Sequence, residues 1–270
     1  MNQTLRIQAF QKSLQQRNAL KVIAGISNFD EASIVRVVNA ATRVAGTSAV
    51  DVAACPDVIA AIRPMTDRLV FASSIRPEAL EQAIRAGADA VELGNYDALY
   101  EEGLFLTPDD VLRITRETLR RLDAIAQETN TPRAFVCVTV PGHLSAHSQE
   151  RLAQALETLG VDLLQTEGAS RMLASEPRIQ VLPADQKAAV TFNNTRLLSA
   201  AVHIPVMSAS GITVQNVMDA FQAGASAVGV GSSVNKLSST EDMVQVLGNM
   251  VAQLQEHQAI APVRVTSLVS

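Results

Sequence analysis

The sequence predicts a single (β/α)8 barrel of the TIM-barrel class, on two observations. Eight short apolar runs, typical of strands buried on both faces, alternate with longer segments of helical periodicity. The chain has 270 residues, close to the usual size of one such barrel, and no Gly/Ser-rich or Pro-rich linker divides it. The predicted strands are Leu20–Ile26, Ala49–Ala54, Leu69–Ser73, Ala90–Leu93, Ala134–Val140, Asp162–Thr166, Pro205–Ala209 and Ala227–Val230.

The N-terminal segment is predicted to form a short helix that leads into the first strand. Residues 1–29 carry four basic residues and no acid, which is also typical of a transit peptide. We expect the helix, and therefore divide the chain into an N-terminal helix over 1–18, a barrel over 19–260 and a C-terminal tail over 261–270.

Helices are predicted between the strands, and several carry signals at their ends. Pro77 suits a first helical position, and Thr107 and Thr240 are each followed by acidic residues that suit a first turn. Gly46, Gly87, Gly160 and Gly224 mark helix ends that need a left-handed residue. The predicted helices cover 30–44, 56–63, 77–86, 108–128, 148–159, 184–201, 214–223 and 240–257.

An internal repeat supports eight strands. A shift of 137 residues aligns Ala72–Gly94 with Ala209–Gly231 without a gap, and ten of the 23 positions are identical. These segments occupy equivalent positions in two half-barrels of a predicted eight-strand barrel. The alignment pairs Glu92 in the first half-barrel with Gly229 in the second. We therefore expect open space at Gly229, at the position where the first half carries a carboxylate.

The composition excludes several classes of function. The formal net charge is −5 and aromatic residues make up 3% of the chain, so there is no basic, ring-bearing surface for nucleic acid. Attraction to anionic membranes is not expected, and no apolar run is long enough to span a bilayer. Cys55 and Cys137 lie far apart, so we expect no disulfide and no metal site, and a reducing compartment.

The loops after the last two predicted strands are rich in Gly and Ser. In β/α barrels these two loops commonly bind a phosphate through backbone N–H groups and a short extra helix. Val234–Leu237 is placed to form that helix; the alternative is that the small residues only make tight turns. The predicted phosphate-binding residues are Ser210, Gly211, Gly231, Ser232 and Ser233.

Carboxylates inside predicted buried strands need an explanation, because burying a charge without a partner is costly. Glu92 and Glu167 lie near the C-terminal ends of strands, where barrel enzymes carry acid–base groups, and both are candidate catalytic residues. His143, on the loop after the fifth strand, is a third catalytic candidate as a proton shuttle. The alternative is that these carboxylates are structural, bonded to backbone or paired with Lys21. The direction of Asp51 is left open.

Weaker candidates lie on other loops. Asn28 and Asn95 are placed to orient substrate hydroxyls or to form turns. The connection Gly168–Ala184 is either a lid, with Arg171 and Arg178 meeting an anionic substrate, or a solvated loop.

Two segments resemble phosphate-binding barrels such as phosphoribosylanthranilate isomerase. Pro205–Val217 is similar to that enzyme's seventh strand and its following segment, and Ile23–Asn28 is similar to its first strand and loop. The resemblance places Glu167 on the enzyme's general acid, and it implies that Glu92 and Glu167 both point inward. It places Ala24 on the catalytic cysteine and Gly229 on a substrate-contacting aspartate, and these departures argue against that isomerisation. The same match turns Ala24 inward and Lys21 outward.

A fuller resemblance covers almost the whole chain. Leu20–Asp30, Val50–Asp57 and Leu164–Gly168 resemble an uncharacterised family of cyanobacteria and plastids, known as hypothetical chloroplast open reading frame twenty-three. The resemblance implies a setting in the cyanobacterial cytosol or plastid stroma and implies no particular activity.

These observations favour an enzyme on a small phosphorylated metabolite, using isomerase-, aldolase- or synthase-type acid–base chemistry without a cofactor. One alternative is an FMN-binding oxidoreductase, since the same strand ends can hold a flavin phosphate, although no basic side chain is evident for a reduced flavin. Another is a non-catalytic metabolite-binding barrel. A homo-oligomer is left open.

Overall fold

A computed structural model of the chain describes residues 1–94, 96–100, 103–169 and 184–260. Its eight strands are parallel and close into one barrel in chain order, since the first strand pairs with both the second and the eighth. The predicted single (β/α)8 barrel is therefore confirmed. The strands are β1 (Ala19–Gly25), β2 (Ala49–Ala53), β3 (Leu69–Ser73), β4 (Ala90–Leu93), β5 (Phe135–Thr139), β6 (Leu163–Gln165), β7 (Val206–Ala209) and β8 (Ala227–Val230).

Helices surround the barrel and also cover one of its ends. In chain order they are α1 (Gln3–Gln15), α2 (Glu31–Arg43), α3 (Pro56–Ile62), α4 (Pro77–Arg85), α5 (Asp97–Tyr100), α6 (Pro108–Thr129), α7 (Ala146–Thr158), α8 (Ala184–Ala201), α9 (Val217–Gln222), α10 (Ser232–Asn235) and α11 (Thr240–Ile260), with a short 3-10 turn at Arg63–Met65 after α3.

The strands lie within one residue of their predicted bounds at each end, and the N-terminal helix is present. Thr107 caps α6 through a capping box with Asp110. The four glycines predicted at helix ends all have positive φ, between 84° and 111°. Two short helices differ from expectation: α5 was not predicted, and α10 begins at Ser232, two residues before the predicted start. The predicted tail lies outside the described residues.

The strand residues separate into two faces, as the alternation along a strand requires. Those facing outward, such as Val22 and Val228, belong to an apolar layer shared with the surrounding helices. Those facing inward near the N-terminal ends of the strands, such as Leu69 and Met207, form a smaller apolar cluster inside the barrel. Polar side chains appear inside only above that cluster, towards the C-terminal ends of the strands.

Helix α1 closes the N-terminal end of the barrel. Its Phe10 is almost fully buried and packs edge-to-face against Phe71 and Phe135, with ring centroids 5.5 and 5.6 Å away. Arg6 of the same helix pairs with the buried Asp89 at 2.7 Å, just before β4. Edge-to-face aromatic contacts and a charge-assisted pair fix the helix in this position. The opposite end of the barrel is left for the site.

Candidate functional site

The loop after β7 turns its carbonyl groups towards the protein. Ser210 and Gly211 have φ of 87° and 75°, a region that glycine adopts freely and that other residues enter rarely. Thr191 of α8 donates to the Ser210 carbonyl at 2.9 Å, and the Asn216 side chain donates to the Gly211 carbonyl at 3.0 Å. Across a trans peptide the following N–H points the opposite way. The Gly211 N–H therefore points away from α8, and that of Ile212 away from Asn216.

The loop after β8 leads directly into α10. The Gly231 carbonyl accepts from the backbone N–H groups of Val234 and Asn235, both at 2.9 Å, which closes the first turn. Asn235 also donates to the Ile23 carbonyl at 3.0 Å and so ties the helix to the end of β1. A Cβ placed on Gly231 would find its nearest atom 3.8 Å away, so the space beside this residue is open.

Several N–H groups on these two loops have no hydrogen-bond partner among the described residues. In the described part of the chain, no acceptor lies within hydrogen-bond distance of the N–H groups of Gly211, Gly231, Ser232 or Ser233. Because β7 and β8 are neighbours with Ala209 opposite Gly229, both loops leave the same edge of the barrel. The arrangement offers a row of unsatisfied donors of the kind that holds an anion.

A second polar group, which we call the inner network, lies inside the barrel. Lys21 donates to Glu92 and to Gln165, the latter at 3.0 Å, and its Nζ lies 3.5 Å from an Asp51 carboxylate oxygen. Gln165 in turn donates to Glu92 at 2.7 Å and to Thr139 at 3.0 Å. The strands β1, β2, β4, β5 and β6 thus meet through side chains on the barrel axis.

The inner network is closed to solvent and carries one positive and two negative formal charges. Burial raises the pKa of Glu92, and attraction by Lys21 offsets this only in part. Burial also acts to lower the pKa of Lys21, but attraction by Glu92 and Asp51 outweighs it and raises the pKa above its ordinary value. Lys21 therefore stays protonated at neutral pH and serves as the cation of the inner network.

The structure corrects the predicted orientation of β1. Lys21 points inward to the network, and Ala24 lies in the outer apolar layer, the reverse of what the isomerase match implied. Successive side chains of a strand point to opposite faces. An alignment that is shifted by one residue therefore assigns every side chain of the strand to the wrong face. Asp51 also faces inward. Gly229 does not leave open space, since a Cβ there would lie 3.1 Å from atoms of Ala209 and Ile23.

A third polar group, the outer cluster, lies at the C-terminal end of β6. The Tyr100 hydroxyl donates to Glu167 at 2.5 Å and lies 3.1 Å from Nδ1 of His143, while the Gly142 N–H donates to the same Glu167 oxygen at 3.0 Å. Phe105 stacks on Tyr100, with centroids 5.5 Å apart. Burial lowers the pKa of His143, which favours the neutral imidazole.

The predicted catalytic residues therefore fall into two groups. Glu167 and His143 are joined through Tyr100, whereas Glu92 lies deeper, with Lys21 and Gln165. Since Gln165 and Glu167 are two residues apart, the outer cluster lies one layer above the inner network. Tyr100 and Gln165 were not singled out from the sequence. Tyr100 lies on α5, which was not predicted, and no pattern in the sequence indicated a role for this tyrosine.

The remaining residues singled out from the sequence lie outside these polar groups or outside the described part of the chain. Cys137 is fully buried, and burial raises the pKa of its thiol; both cysteines are free. Asn28 donates to the Ala24 carbonyl and to Ser33, as turn chemistry requires. The described residues contain no cluster of three potential metal ligands and no helix that is long and apolar enough to cross a membrane. Asn95, Arg171 and Arg178 lie outside the described residues.

Solved structures share this fold at low sequence identity. A 3-hexulose-6-phosphate synthase from Salmonella typhimurium is 17% identical, with a TM-score of 0.59 over 88% of this chain and 99% of that one. A (S)-3-O-geranylgeranylglyceryl phosphate synthase from Thermoplasma acidophilum, in complex with sn-glycerol-1-phosphate, is 15% identical, with a TM-score of 0.58 over 95% and 99% of the two chains. These likenesses support the barrel fold.

Sequence relatives extend over most of the chain. The uncharacterized protein ycf23 of Antithamnion sp. is 34% identical over 92% of this chain and 88% of its own length. The protein of the same description from Cyanophora paradoxa is 33% identical over 89% and 94%. A family model described as "Protein of unknown function (DUF561)" matches residues 5–260. The resemblance seen in the sequence is confirmed: the chain belongs to the DUF561 family and is related to these ycf23 proteins.

Proposed function

We propose that this protein is an enzyme acting on a small phosphorylated metabolite, in the plastid stroma or the cyanobacterial cytosol. The observation that carries the proposal is the row of N–H groups at Gly211, Gly231, Ser232 and Ser233, which have no partner among residues 1–94, 96–100, 103–169 and 184–260 and which two adjacent loops present at one edge of the barrel. The names of several structural neighbours contain a phosphorylated compound, including 3-hexulose-6-phosphate and sn-glycerol-1-phosphate. This agrees with a phosphate ligand here.

The phosphate serves as an anchor in this proposal. Its oxygens accept from the backbone donors of both loops, with Ser210 and Ser233 hydroxyls close by in sequence, and the short α10 adds the favourable end of its dipole. Binding energy from the non-reacting phosphate then holds the reacting end of the substrate over the mouth of the barrel. A ring of Gly, Ala and Ser suits a small polar ligand.

The chemistry is proton transfer beside a carbonyl or imine, as in an isomerase, aldolase or synthase. Glu167 and His143 lie nearest the mouth and are assigned the transfers. Glu92 is the second choice, because Lys21 and Gln165 already occupy its carboxylate. If neither Glu167→Gln nor Glu92→Gln lowers the turnover of an identified substrate, this assignment is wrong.

Phosphate binding is tested with Gly231→Asp. The Cβ position of this residue is open, so an aspartate side chain has room there and places a carboxylate among the donors. Its backbone, with φ of −113° and ψ of −92°, lies outside the α and β regions, so the substitution also costs some stability, and binding is compared only in folded protein. We expect the affinity for inorganic phosphate and for sn-glycerol-1-phosphate, measured by titration calorimetry, to fall at least about a hundredfold, since like-charge contact costs several kcal/mol. Gly211→Asp has the same expected effect from the other loop.

Gly248→Asp is the matched control. It makes the same substitution in α11, where a Cβ would meet nothing within 4 Å. Unchanged phosphate binding in Gly231→Asp, or equal losses in Gly231→Asp and Gly248→Asp, would refute the site. Phosphate-ester binding without turnover across a broad metabolite panel would identify a binding protein in place of an enzyme.

A further inference from the structure

We propose that Tyr100 is a positioning residue that fixes the tautomer of His143, so that its Nε2 is the general base at the mouth of the barrel. The tautomer follows from the geometry of the outer cluster alone. The role as a base rests on the proposed function.

The protons of the outer cluster can be counted. The Tyr100 hydroxyl has one proton, and its partners include Glu167 at 2.5 Å and His143 Nδ1 at 3.1 Å. The same Glu167 oxygen also accepts from the Gly142 N–H at 3.0 Å. Two donors on one oxygen favour the ionised carboxylate, which can only accept. The Tyr100 proton therefore goes to Glu167.

The direction of that first hydrogen bond decides the second. With its proton committed to Glu167, the Tyr100 oxygen can only accept from His143. Nδ1 must then carry the imidazole proton, and Nε2 is left with its lone pair. In the described part of the chain, no hydrogen-bond partner occupies Nε2.

The aromatic packing holds the imidazole in this arrangement. His143 meets the rings of Tyr100 and Phe105 edge-on, with centroids 5.5 and 6.0 Å away, and those two rings stack on each other. The contacts restrict rotation of the imidazole ring and support the bond from Nδ1 to Tyr100. Partial burial also lowers the pKa of His143 and so favours the neutral, basic form.

The chemical step follows the same chain of hydrogen bonds. Nε2 takes the proton from a carbon next to the substrate carbonyl; the C–H bond breaks, and its electron pair moves onto the carbonyl oxygen as an enolate. The resulting imidazolium keeps its Nδ1–H bond to Tyr100, and the Glu167 carboxylate stabilises it through that hydroxyl. In a substrate with a hydroxyl on that carbon, the hydroxyl proton passes to the enolate oxygen. Nε2–H then returns its proton to the former carbonyl carbon as the other oxygen becomes the new carbonyl, so the transfer is complete without an oxidant or reductant.

The test reads the tautomer directly and needs no substrate. In protein labelled with 15N-histidine, two-dimensional NMR distinguishes a protonated from a bare ring nitrogen, and His143→Gln identifies the His143 signals among the four histidines. We expect the Nδ1–H form in the unaltered protein at pH 7.5. In Tyr100→Phe we expect a shift towards the Nε2–H form that unconstrained histidine prefers.

Tyr96→Phe is the control, because it removes the chain's other tyrosine hydroxyl, which donates to the Leu93 carbonyl and does not touch His143. An Nε2–H form in the unaltered protein, or the same tautomer in Tyr100→Phe, overturns the inference. Once a substrate is known, Tyr100→Phe should lower kcat about tenfold to a hundredfold with little change in KM. If the Nδ1–H tautomer is found and phosphate does not bind, the proposed function fails while the tautomer assignment stands.

Discussion

Replacing Lys21 with methionine tests whether charge holds the inner network together. Methionine has a similar length and fills the same space, but it removes the cation that faces Glu92 and Asp51. The 3.5 Å separation between Lys21 Nζ and Asp51 is worth about 5 kcal/mol at an effective dielectric constant of about 20. Breaking a buried ion pair by removing one partner costs about 3–5 kcal/mol. We therefore expect Lys21→Met to lower the free energy of unfolding by about 3–5 kcal/mol.

Glu92→Gln is the matched comparison, because it leaves Lys21 and Asp51 as a one-to-one pair. Its cost should be only about 1–2 kcal/mol, the value of weakened hydrogen bonds. The double variant Lys21→Met/Glu92→Gln should be more stable than Lys21→Met alone, since it removes one of the two carboxylate charges that Lys21 had faced. Urea unfolding followed by circular dichroism measures all three. A Lys21→Met variant no less stable than Glu92→Gln would contradict this charge argument.

Two further predictions concern pH and the closed end of the barrel. The folded-state pKa of Glu92 is raised above 4.5, so the unfolded chain releases this proton first as pH rises. The stability advantage of the unaltered protein over Glu92→Gln should therefore shrink as pH rises above about 4.5, measured by urea unfolding at several pH values; an advantage that grows with pH would show the opposite shift. Phe10→Ala should cost about 3–5 kcal/mol by the same method, because it empties the space between Phe71 and Phe135, and a loss below about 1 kcal/mol would mean that α1 does not brace the barrel.

The barrel could be predicted because its signals are local and repeated. Each strand is a short apolar run bounded by turn residues, and a helix cap or a helix-ending glycine often marks the next boundary. The loops after β7 and β8 were predictable for the same reason, since their Gly and Ser residues are visible at consecutive strand ends. Helix α5 was missed because four residues carry too little periodicity to register.

The side-chain partnerships were harder to predict, because they depend on the closure of the barrel. Lys21 and Glu92 are 71 residues apart, and only the parity of two strands decides that they meet. The alternative that buried carboxylates pair with Lys21 was correct for Glu92, whereas the match to the isomerase strand gave the wrong parity for β1. The contact between Tyr100 and Glu167 joins positions 67 residues apart. No periodicity in the sequence reports a contact of that kind.

The packing of Phe10 against Phe71 and Phe135 also determines from which end a molecule can enter the barrel. In the described part of the chain, aromatic rings fill the N-terminal end of the barrel, so a small molecule reaches the polar side chains inside from the C-terminal ends of the strands. In the proposed enzyme, substrate and product would share that entrance, and a bound product would block the next substrate. Changes to the loops around the entrance would then alter exchange rates, even at positions outside the proposed phosphate donors and the outer cluster.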